Sequence, residues 1–537
     1  MIKYTPASER TLALFSTPFE QKLSPENRWV RMAELVPWDE MAEVFFSCLS
    51  TDQGRLTVDL RVILGALMVK HIERLSDEDT IQYIQENIYA QYFVGLSSFQ
   101  IEPVFVPSLF VEIRKRLGQK GSARLNDLMI RQARQLKAIK HRRKPSDKNK
   151  PEDPGQGQQE QQSGTEEEAP VKKGELPGKQ GTLLLDATVG PLHIAYPTDT
   201  RLLSEGRRHS EELMDLLYTS HKELWVKKPR TYRREAQRAF VSFNKKKNKS
   251  SKDIRKATGQ QLRYLKPNLK ILHKMLDKLE QHKHNVCWKH RQWRTFWVIQ
   301  ELYRQQEEMF RDRRRRIDDR IVSILQPYAR PIKRGKGGGK DTEFGPKVNV
   351  SMSEGIAKAD QIDFNAFNES SYLPEQIEGY KALYGYYPAL VLADQIYWTR
   401  ANRNYLKDRG IQMGGVPLGP PKELSKYEKY KARKRNNKRS EVECKFGQAK
   451  SKYGLDDLFT RLPQTIKAEI NLIFLEINLI RVNKTLADFI FYVFFIGRSL
   501  LSGYSIPKDE TRKDTAWTTG GRWMPKLELT QARCRTF

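Results

Sequence analysis

Acidic residues follow two short apolar runs that are far apart in the chain. In TLLLDATVG, Asp186 comes directly after Thr182 to Leu185, and in PALVLAD, Asp394 closes a second run. Both runs are typical of buried β-strands, and ligand sites in open α/β sheets gather at the carboxyl ends of strands. A carboxylate there is costly unless it is paired, hydrogen-bonded or bound to a metal ion. Asp186 and Asp394 are therefore candidate metal ligands, with a plain strand-end turn as the alternative for either residue.

A third candidate acid lies in the basic segment NNKRSEVECKFGQAKSKYG, residues 436–454, which carries Glu441 and Glu443. We predict a helix that starts at Asn436 or Asn437, with an apolar stripe beside a polar one at 100° per residue. Glu443 falls on the polar stripe at the rim of the core. Glu441 points to solvent in the first turn, where its charge suits the helix dipole. The apolar stripe is Val442, Phe446 and Ala449, and the polar stripe is Arg439, Glu443 and Lys450.

Three carboxylates with flanking cations suit metal-assisted phosphoryl transfer. Two divalent ions roughly 3.5–4 Å apart can activate the attacking oxygen and stabilise the leaving oxygen. Hard oxygen ligands favour Mg²⁺, with Mn²⁺ as a substitute. Arg439 and Lys450 can bind phosphates on the same face of the helix. We therefore expect the carboxyl groups of Asp186, Asp394 and Glu443 to converge on one two-metal site.

The composition points to a polyanionic partner. The chain has 537 residues, a formal net charge of +30 and a pI of about 9.7. Such a field favours nucleic acid, with a membrane surface as the competing polyanion. The longest uncharged run in the apolar region 464–502, Phe489 to Gly497, is too short to span a bilayer, which needs about 20 residues. Four scattered cysteines without a CxxC pair fit a reducing compartment.

Changes in composition predict the organisation of the chain. Residues 25–135 have apolar residues at helical spacing, with Ser76 as an N-cap, which suits either a helix-turn-helix DNA reader or a simple helical bundle. Residues 141–180 are rich in Pro, Gly, Gln and Glu and are predicted to be a disordered linker. The stretch from about 222 to 326 is helical and basic. KVNVSM and IAKADQIDF are predicted to form a β-hairpin around residues 353–355.

Three separated motifs resemble those of bacterial insertion-sequence transposases of the DDE type. LLLDATVGPLHIAYPTD resembles the segment around that family's first aspartate, and YYPALVLADQIYWTRANRNYLKDRGIQ resembles the segment around the second. Family members carry Tyr-x₂-Arg-x₃-Glu-x₆-Lys around the catalytic glutamate. Arg439, Glu443 and Lys450 match at that spacing, and Asn436 stands at the tyrosine position. The resemblance covers most of the chain except residues 141–180.

The resemblance implies an α/β ribonuclease-H-like catalytic core, a mixed sheet with flanking helices, with an all-α N-terminal domain and a long helical insertion. Asp186, Asp394 and Glu443 would be both the catalytic residues and the ligands of Mg²⁺. The implied DNA-binding residues are Arg439, Lys450, Lys438, Trp398 and Arg400. The implied order is a DNA-binding domain (1–140), the linker (141–180), the first core strand (181–199), the basic insertion (200–340), the rest of the core (341–505) and a C-terminal tail (506–537).

The implied function is that of a DNA transposase that binds the terminal inverted repeats of an insertion sequence, cleaves DNA and transfers the strand. Its partners would be double-stranded DNA, at the element ends and at the target, and a second copy in a synaptic homodimer. Its place would be the bacterial cytoplasm, at the nucleoid and not at a membrane. Two alternatives stay open: an inactive, domesticated DNA-binding relative, and a ribonuclease-H-like nuclease without strand transfer. For Trp398, packing under the site is the alternative to stacking on an unpaired base.

Overall fold

The computed structural model describes most of the chain outside the predicted linker and tail. The chain divides into two compact units, Met1–Lys484 and Thr485–Phe537. In the second unit the described residues, 485–502, are helical. Residues 143–178, which make up nearly all of the predicted linker, and the predicted tail lie outside the described part. The described residues are 4–9, 15–17, 22–49, 57–142, 179–333, 342–415 and 425–502.

The first unit contains a five-stranded mixed sheet and a separate pair of short strands. The strands are β1 (Thr182–Val189), β2 (Pro331–Lys333), β3 (Thr342–Phe344), β4 (Lys347–Ser353), β5 (Ile356–Asp363), β6 (Leu390–Ala393) and β7 (Gln412–Met413). The order in the large sheet is β5-β4-β1-β6-β7, and β2 pairs with β3. β4 is antiparallel to β1 and β5, whereas β6 is parallel to β1 and β7. The central strand β1 therefore has one antiparallel and one parallel neighbour.

Helices precede the strands of the sheet in the chain, lie between them in sequence and pack on the sheet's faces. They are α1 (Arg28–Leu35), α2 (Trp38–Phe46), α3 (Leu60–Glu73), α4 (Asp77–Glu86), α5 (Ile88–Val94), α6 (Leu109–Arg142), α7 (Asp199–Ser220), α8 (Arg233–Lys245), α9 (Ser251–Gln281), α10 (His290–Arg311), α11 (Leu373–Tyr384), α12 (Arg400–Asp408), α13 (Lys426–Tyr453) and α14 (Pro463–Ser502). The described part of the chain has no helix long and apolar enough to cross a membrane.

The two faces of the sheet are covered by different helices. Side chains alternate along a strand, so Leu184 of β1 packs with Val442 of α13 in one core cluster. Leu183 and Leu185 pack with Leu373 of α11 in the other. The sheet is thus a middle layer between α13 and α14 on one side and α11 and α12 on the other.

The predicted hairpin is confirmed. β4 and β5 pair in register from Lys347 opposite Asp363 to Ser353 opposite Ile356. The two turn residues, Glu354 and Gly355, have φ values of 55° and 80°. Positive φ at both positions of a two-residue loop gives a turn whose twist matches that of the strands.

The N-terminal helices favour the helical-bundle interpretation of α3 and α4. Ser76 caps α4 as predicted, and its side chain accepts a hydrogen bond from the Asp79 backbone N–H. The first turn of α4 is acidic at residues 77–79. The Arg114 guanidinium donates bidentate hydrogen bonds to the Asp77 carboxylate, at 2.6 and 2.9 Å. A helix-turn-helix reader presents the N-terminal residues of its second helix to base edges. Acids in that position would repel DNA.

Helix α6 packs directly onto the sheet and α14. Asn478 of α14 donates hydrogen bonds to Asn126 Oδ1 at 2.9 Å and to the Ala357 carbonyl at 2.7 Å, and all three groups are buried. Lys358 of β5 forms an ion pair with Asp127 at 2.7 Å. These contacts make α6 part of the packing of the core, so the domain boundary near residue 140 stays a prediction.

The helices between β1 and β2 have a core of their own. Apolar residues of α7, α9 and α10 form one cluster that includes Leu203, Leu265 and Ile299. Helix α8 buries only Ala236, so the rest of its surface, including most of its cations, faces solvent. The insertion is therefore a helical module with a basic exterior.

The buried acid Glu476 gives a first testable prediction. Its side chain is fully buried in α14, and neither carboxyl oxygen has a hydrogen-bond partner among the described residues. Burial raises the pKa of this carboxyl well above its usual value. The folded state therefore holds the proton more tightly than the unfolded state, and stability is lost as pH rises from the unfolded pKa toward the folded pKa. Glu476→Met should raise stability at pH 8 by about 1–3 kcal/mol, and by less at pH 4.

The check is the thermal midpoint of both proteins at the two pH values. Glu469→Met is the matched control, because Glu469 is a buried acid of the same helix whose carboxylate accepts a hydrogen bond from Thr460. Its removal orphans the Thr460 hydroxyl, so its midpoint should fall or stay unchanged. A lower midpoint for Glu476→Met at pH 8 would contradict the argument.

Candidate active site

The sheet register places two of the three predicted acids side by side. β1 and β6 run parallel, and the last paired residues are Leu185 and Ala393. The next residues are Asp186 and Asp394, on neighbouring strands that lie about 4.8 Å apart. The prediction that the β1 strand ends at Asp186 is wrong, because β1 continues to Val189 along β4. Asp186 instead marks the point where β1 loses β6 as its neighbour.

Each aspartate is held by a short local hydrogen bond. Asp186 Oδ1 accepts from the Ala187 backbone N–H at 2.8 Å. Asp394 Oδ1 accepts from the Gln395 N–H at 2.8 Å and caps the 3₁₀ turn Gln395–Tyr397. Asp186 has the same parity as Leu184 along β1, so it lies on the face of the sheet that α13 covers. The 3₁₀ cap fixes the position of the Asp394 carboxyl group, and strand β1 fixes that of Asp186.

Helix α13 carries the third acid, and its N-cap lies eleven or twelve residues earlier than predicted. The N-cap is Ser425, in a capping box with Glu428, and not Asn436 or Asn437. The run YEKYKARKR before residue 436 is polar on every side, so no apolar stripe marks it as helix. Glu441 consequently lies well inside the helix, and the predicted dipole interaction in the first turn is wrong.

The predicted helix phase is confirmed. Val442 and Ala449 are completely buried and Phe446 nearly so. The helix packs against β1 and β6, and the side chain of Glu443 is half exposed beside this contact. Glu441 is exposed. The helix therefore presents Glu443, and not Glu441, toward the two strands that carry the aspartates.

Arg439 lies between two of the acids. Its Nη1 is 3.8 Å from Asp394 Oδ1, and its Nη2 is 3.9 Å from Glu443 Oε1. Its Nε donates to Asn436 Oδ1 at 3.4 Å, so the residue at the tyrosine position of the signature holds the arginine. The positive charge of Arg439 also acts on Asp186, whose pKa it lowers. One guanidinium thus faces all three predicted acids.

The donor chemistry at this place fits a hard divalent cation. The pKa of Asp186 is raised to about 6; burial is the largest cause, and the charges of Glu369 and Asp394 contribute in the same direction. A cation would relieve this excess of negative charge, and carboxylate oxygens are the ligands that Mg²⁺ prefers. In the part of the chain that the structure describes, no group of three or more His, Cys, Asp or Glu lies close enough together to hold a metal ion. Convergence on a shared metal site therefore stays a prediction.

Two segments of the chain match known protein families. Residues 391–480, which include Asp394 and Glu443, match the transposase DDE domain. Residues 17–116, in the N-terminal helices, match the transposase domain DUF772. Together these matches support an insertion-sequence DDE transposase. The sequence motif around Asp186 lies outside both matches.

One relative and the solved structures complete the comparison. A protein of Rhizobium meliloti, described as uncharacterized protein ORF8 in nfe locus, is 26% identical over 228 residues, which is 42% of this chain and 89% of that protein. No solved structure matches the chain significantly. The similarity to transposases thus rests on sequence alone.

One acid that acts on Asp186, Glu369, was missed in the sequence analysis. Glu369 is mostly buried, and its carboxylate forms an ion pair with Lys347 Nζ at 2.7 Å. Its 3₁₀ turn is tied to the turn after Asp394 by Asn402, which donates to the carbonyls of Ser370 and Tyr397 at 2.7 and 2.8 Å. Glu369 raises the pKa of Asp186 more than Asp394 does. No motif spacing marks Glu369, because only the fold brings its turn to the strand ends.

Two of the predicted DNA-binding lysines have protein partners. Lys450 forms an ion pair with Glu343 at 3.3 Å, and both side chains are less than 20% exposed. Lys438 is exposed and donates to the Thr182 hydroxyl at 3.0 Å. A phosphate would have to compete with a mostly buried carboxylate for Lys450 but only with a hydroxyl for Lys438. Their DNA contacts remain predictions.

Trp398 packs beneath the site. It is 7% exposed and belongs to the core cluster on the α11 face of the sheet. Gly415 lies against its indole so closely that an added Cβ would be 2.3 Å from Nε1. Burial therefore favours packing over stacking on a base. Arg400, by contrast, is exposed at the first position of α12, where a DNA contact stays a prediction.

Proposed function

We propose that this transposase binds the terminal inverted repeats of its element and catalyses metal-dependent DNA cleavage and strand transfer. The observation that carries the proposal is the adjacent register of Asp186 and Asp394 with α13 packed on the same strands. We further propose that the mixed sheet and its two helical layers form a ribonuclease-H-like core. The sheet order around β1 is compatible with this assignment.

The chain's own residues supply a negative pocket and a phosphate clamp. Asp186, Asp394 and Glu443 would hold the divalent ions, which when bound would activate the attacking oxygen and stabilise the leaving one. The register of β1 and β6 orients the two aspartates, and the buried stripe of α13 fixes the direction of Glu443. Arg439 would give up its long contacts with two carboxylates and bind a substrate phosphate instead. A guanidinium can form bidentate hydrogen bonds with phosphate oxygens.

The net charge supports double-stranded DNA as the partner, at the element ends and at the target. A net charge of +30 attracts DNA, and each neutralised phosphate releases counterions, so affinity should fall steeply with salt. A homodimer in the synaptic complex belongs to the same proposal.

The test is to incubate the full chain with linear DNA that carries both ends of its element and their flanks, with Mg²⁺, and to map every cut. Cleavage at the element ends followed by joining of the 3′-OH to a target DNA is expected, and a chelator should abolish both steps. Cleavage without joining would instead identify a nuclease. Binding to the ends without cleavage would identify an inactive DNA-binding relative.

A further inference from the structure

A large cavity opens beside Asp394. Its volume is about 920 Å³, and it lies between the ends of β6 and β7 and one face of the N-terminal half of α13. Arg439 closes it next to the candidate active site. Besides Asp394, one acid lines it: Glu428, whose carboxylate is engaged with the Ser425 backbone N–H at 2.8 Å in the helix cap. The remaining charged groups on its wall are cations.

One face of α13 lines the cavity with a regular stripe of one tyrosine and three cations. Tyr427, Lys431, Arg435 and Arg439 all line the cavity and follow one another at intervals of four residues. At 1.5 Å per residue they are about 6 Å apart and extend about 18 Å along one helix face. Among the described residues neither Lys431 nor Arg435 has an ion-pair partner, and Tyr427 is 69% exposed. The stripe thus leads from Arg439 outward along the cavity.

A stripe of this kind suits a strand of nucleic acid. Evenly spaced cations in a concave site match the evenly spaced phosphates of a backbone, and an exposed aromatic ring offers a base or sugar a contact surface. The same helix segment also carries Lys429 and Arg433, which do not line the cavity.

We propose that the N-terminal half of α13 binds the DNA strand that continues from the scissile phosphate. Lys431 and Arg435 contact phosphates beyond the one held at Arg439, and Tyr427 contacts the nucleotide at the far end. In this transposase the tyrosine position of the signature is Asn436, which holds Arg439 instead. Tyr427 then provides an aromatic contact three turns from Arg439. The inference rests on the proposed function, since it assumes that DNA is cut beside Asp394.

The chain provides a matched control on the same helix. Lys429 and Arg433 each precede a stripe cation by two residues, which is 200° around the helix, so they point to the opposite side. The double variant Lys431→Ala/Arg435→Ala and the double variant Lys429→Ala/Arg433→Ala remove the same residue types and the same charge. Both change exposed or half-exposed side chains, so neither should disturb folding.

The measurement is the affinity of the full chain for end DNA in the absence of divalent ions, so that binding is read independently of cleavage. One DNA stops at the scissile phosphate and the other continues about ten nucleotides beyond it. The stripe variant should bind the extended DNA about tenfold or more weakly, with a salt slope reduced by about 2. It should bind the short DNA like the wild type. The control variant should lose less than about threefold on either DNA.

An equal loss for the two double variants, or a stripe effect that does not depend on the extension, would overturn the inference. Tyr427→Ala should weaken binding to the extended DNA, while Tyr427→Phe should retain it if the ring makes the contact. Failure of cleavage with both DNA molecules would count against the proposed function instead, because the binding assay does not depend on cleavage.

Discussion

Glu443→Gln is expected to eliminate DNA cleavage while DNA binding stays at the wild-type level or rises slightly. The substitution keeps the size of the side chain but removes the charge that would hold a metal ion, and it removes repulsion from DNA phosphates. Loss of a group that stabilises the transition state in this way should lower the cleavage rate by a factor of about a thousand or more. The side chain is half exposed, so the fold should tolerate the change.

Glu441→Gln is the matched control, because it removes the same charge from the same helix two residues away. Glu441 is exposed and lies about 160° from Glu443 around α13. Its cleavage rate should stay close to that of the wild type. Both variants are assayed with Mg²⁺ and with Mn²⁺. An inactive Glu441→Gln beside an active Glu443→Gln would refute the assignment of the catalytic glutamate.

Asp394→Asn should abolish cleavage as completely, with little effect on folding. The asparagine oxygen can still accept the hydrogen bond from the Gln395 N–H that caps the 3₁₀ turn. Only the charge is lost, and with it the ability to hold a divalent ion. Asp394→Ala should lose cleavage too, and it should also lose about 1 kcal/mol of stability with the cap. Cleavage rates and thermal midpoints of the two variants separate these effects.

Asp363→Asn serves as the control for a strand-end aspartate without a catalytic role. Asp363 ends β5, and its carboxylate accepts a hydrogen bond from the Asn365 N–H at 2.8 Å. Like Asp394, it lies at the end of a strand and accepts a backbone hydrogen bond, although from the residue two positions on instead of the next one. The cleavage rate of Asp363→Asn should stay within about threefold of wild type, since the asparagine oxygen can still accept this hydrogen bond. Substantial cleavage by Asp394→Asn would remove Asp394 from the metal site.

Local periodicity determined those parts of the fold that depend on neighbours in sequence. The hairpin of β4 and β5 follows from alternating residues around a turn with positive φ at Glu354 and Gly355. The buried side of α13 follows from the spacing of Val442 and Phe446. Each pattern is decided within one or two turns, so the sequence alone was sufficient. The order of the family motifs likewise required no structure.

Boundaries were determined less well, because they depend on what covers a segment. β1 runs past Asp186 to Val189 since β4 supplies hydrogen bonds on one side after β6 has ended. α13 extends back to Lys426 although its first turns bury no apolar residue. In both cases the amino-acid composition changes at the predicted boundary, but the strand or helix continues past it.

Only the tertiary structure decided how the site is assembled. The pairing of Leu185 with Ala393 brings together aspartates more than 200 residues apart in sequence. The position of Arg439 between Asp394 and Glu443, and the approach of Glu369 to Asp186, depend on that register and on the packing of α13. Lys450 has the spacing of a phosphate ligand, but the strand pair that contains Glu343 gives it a carboxylate partner. Spacing along a chain fixes the direction of a side chain on its own helix, whereas its partners come from distant segments that only folding brings near.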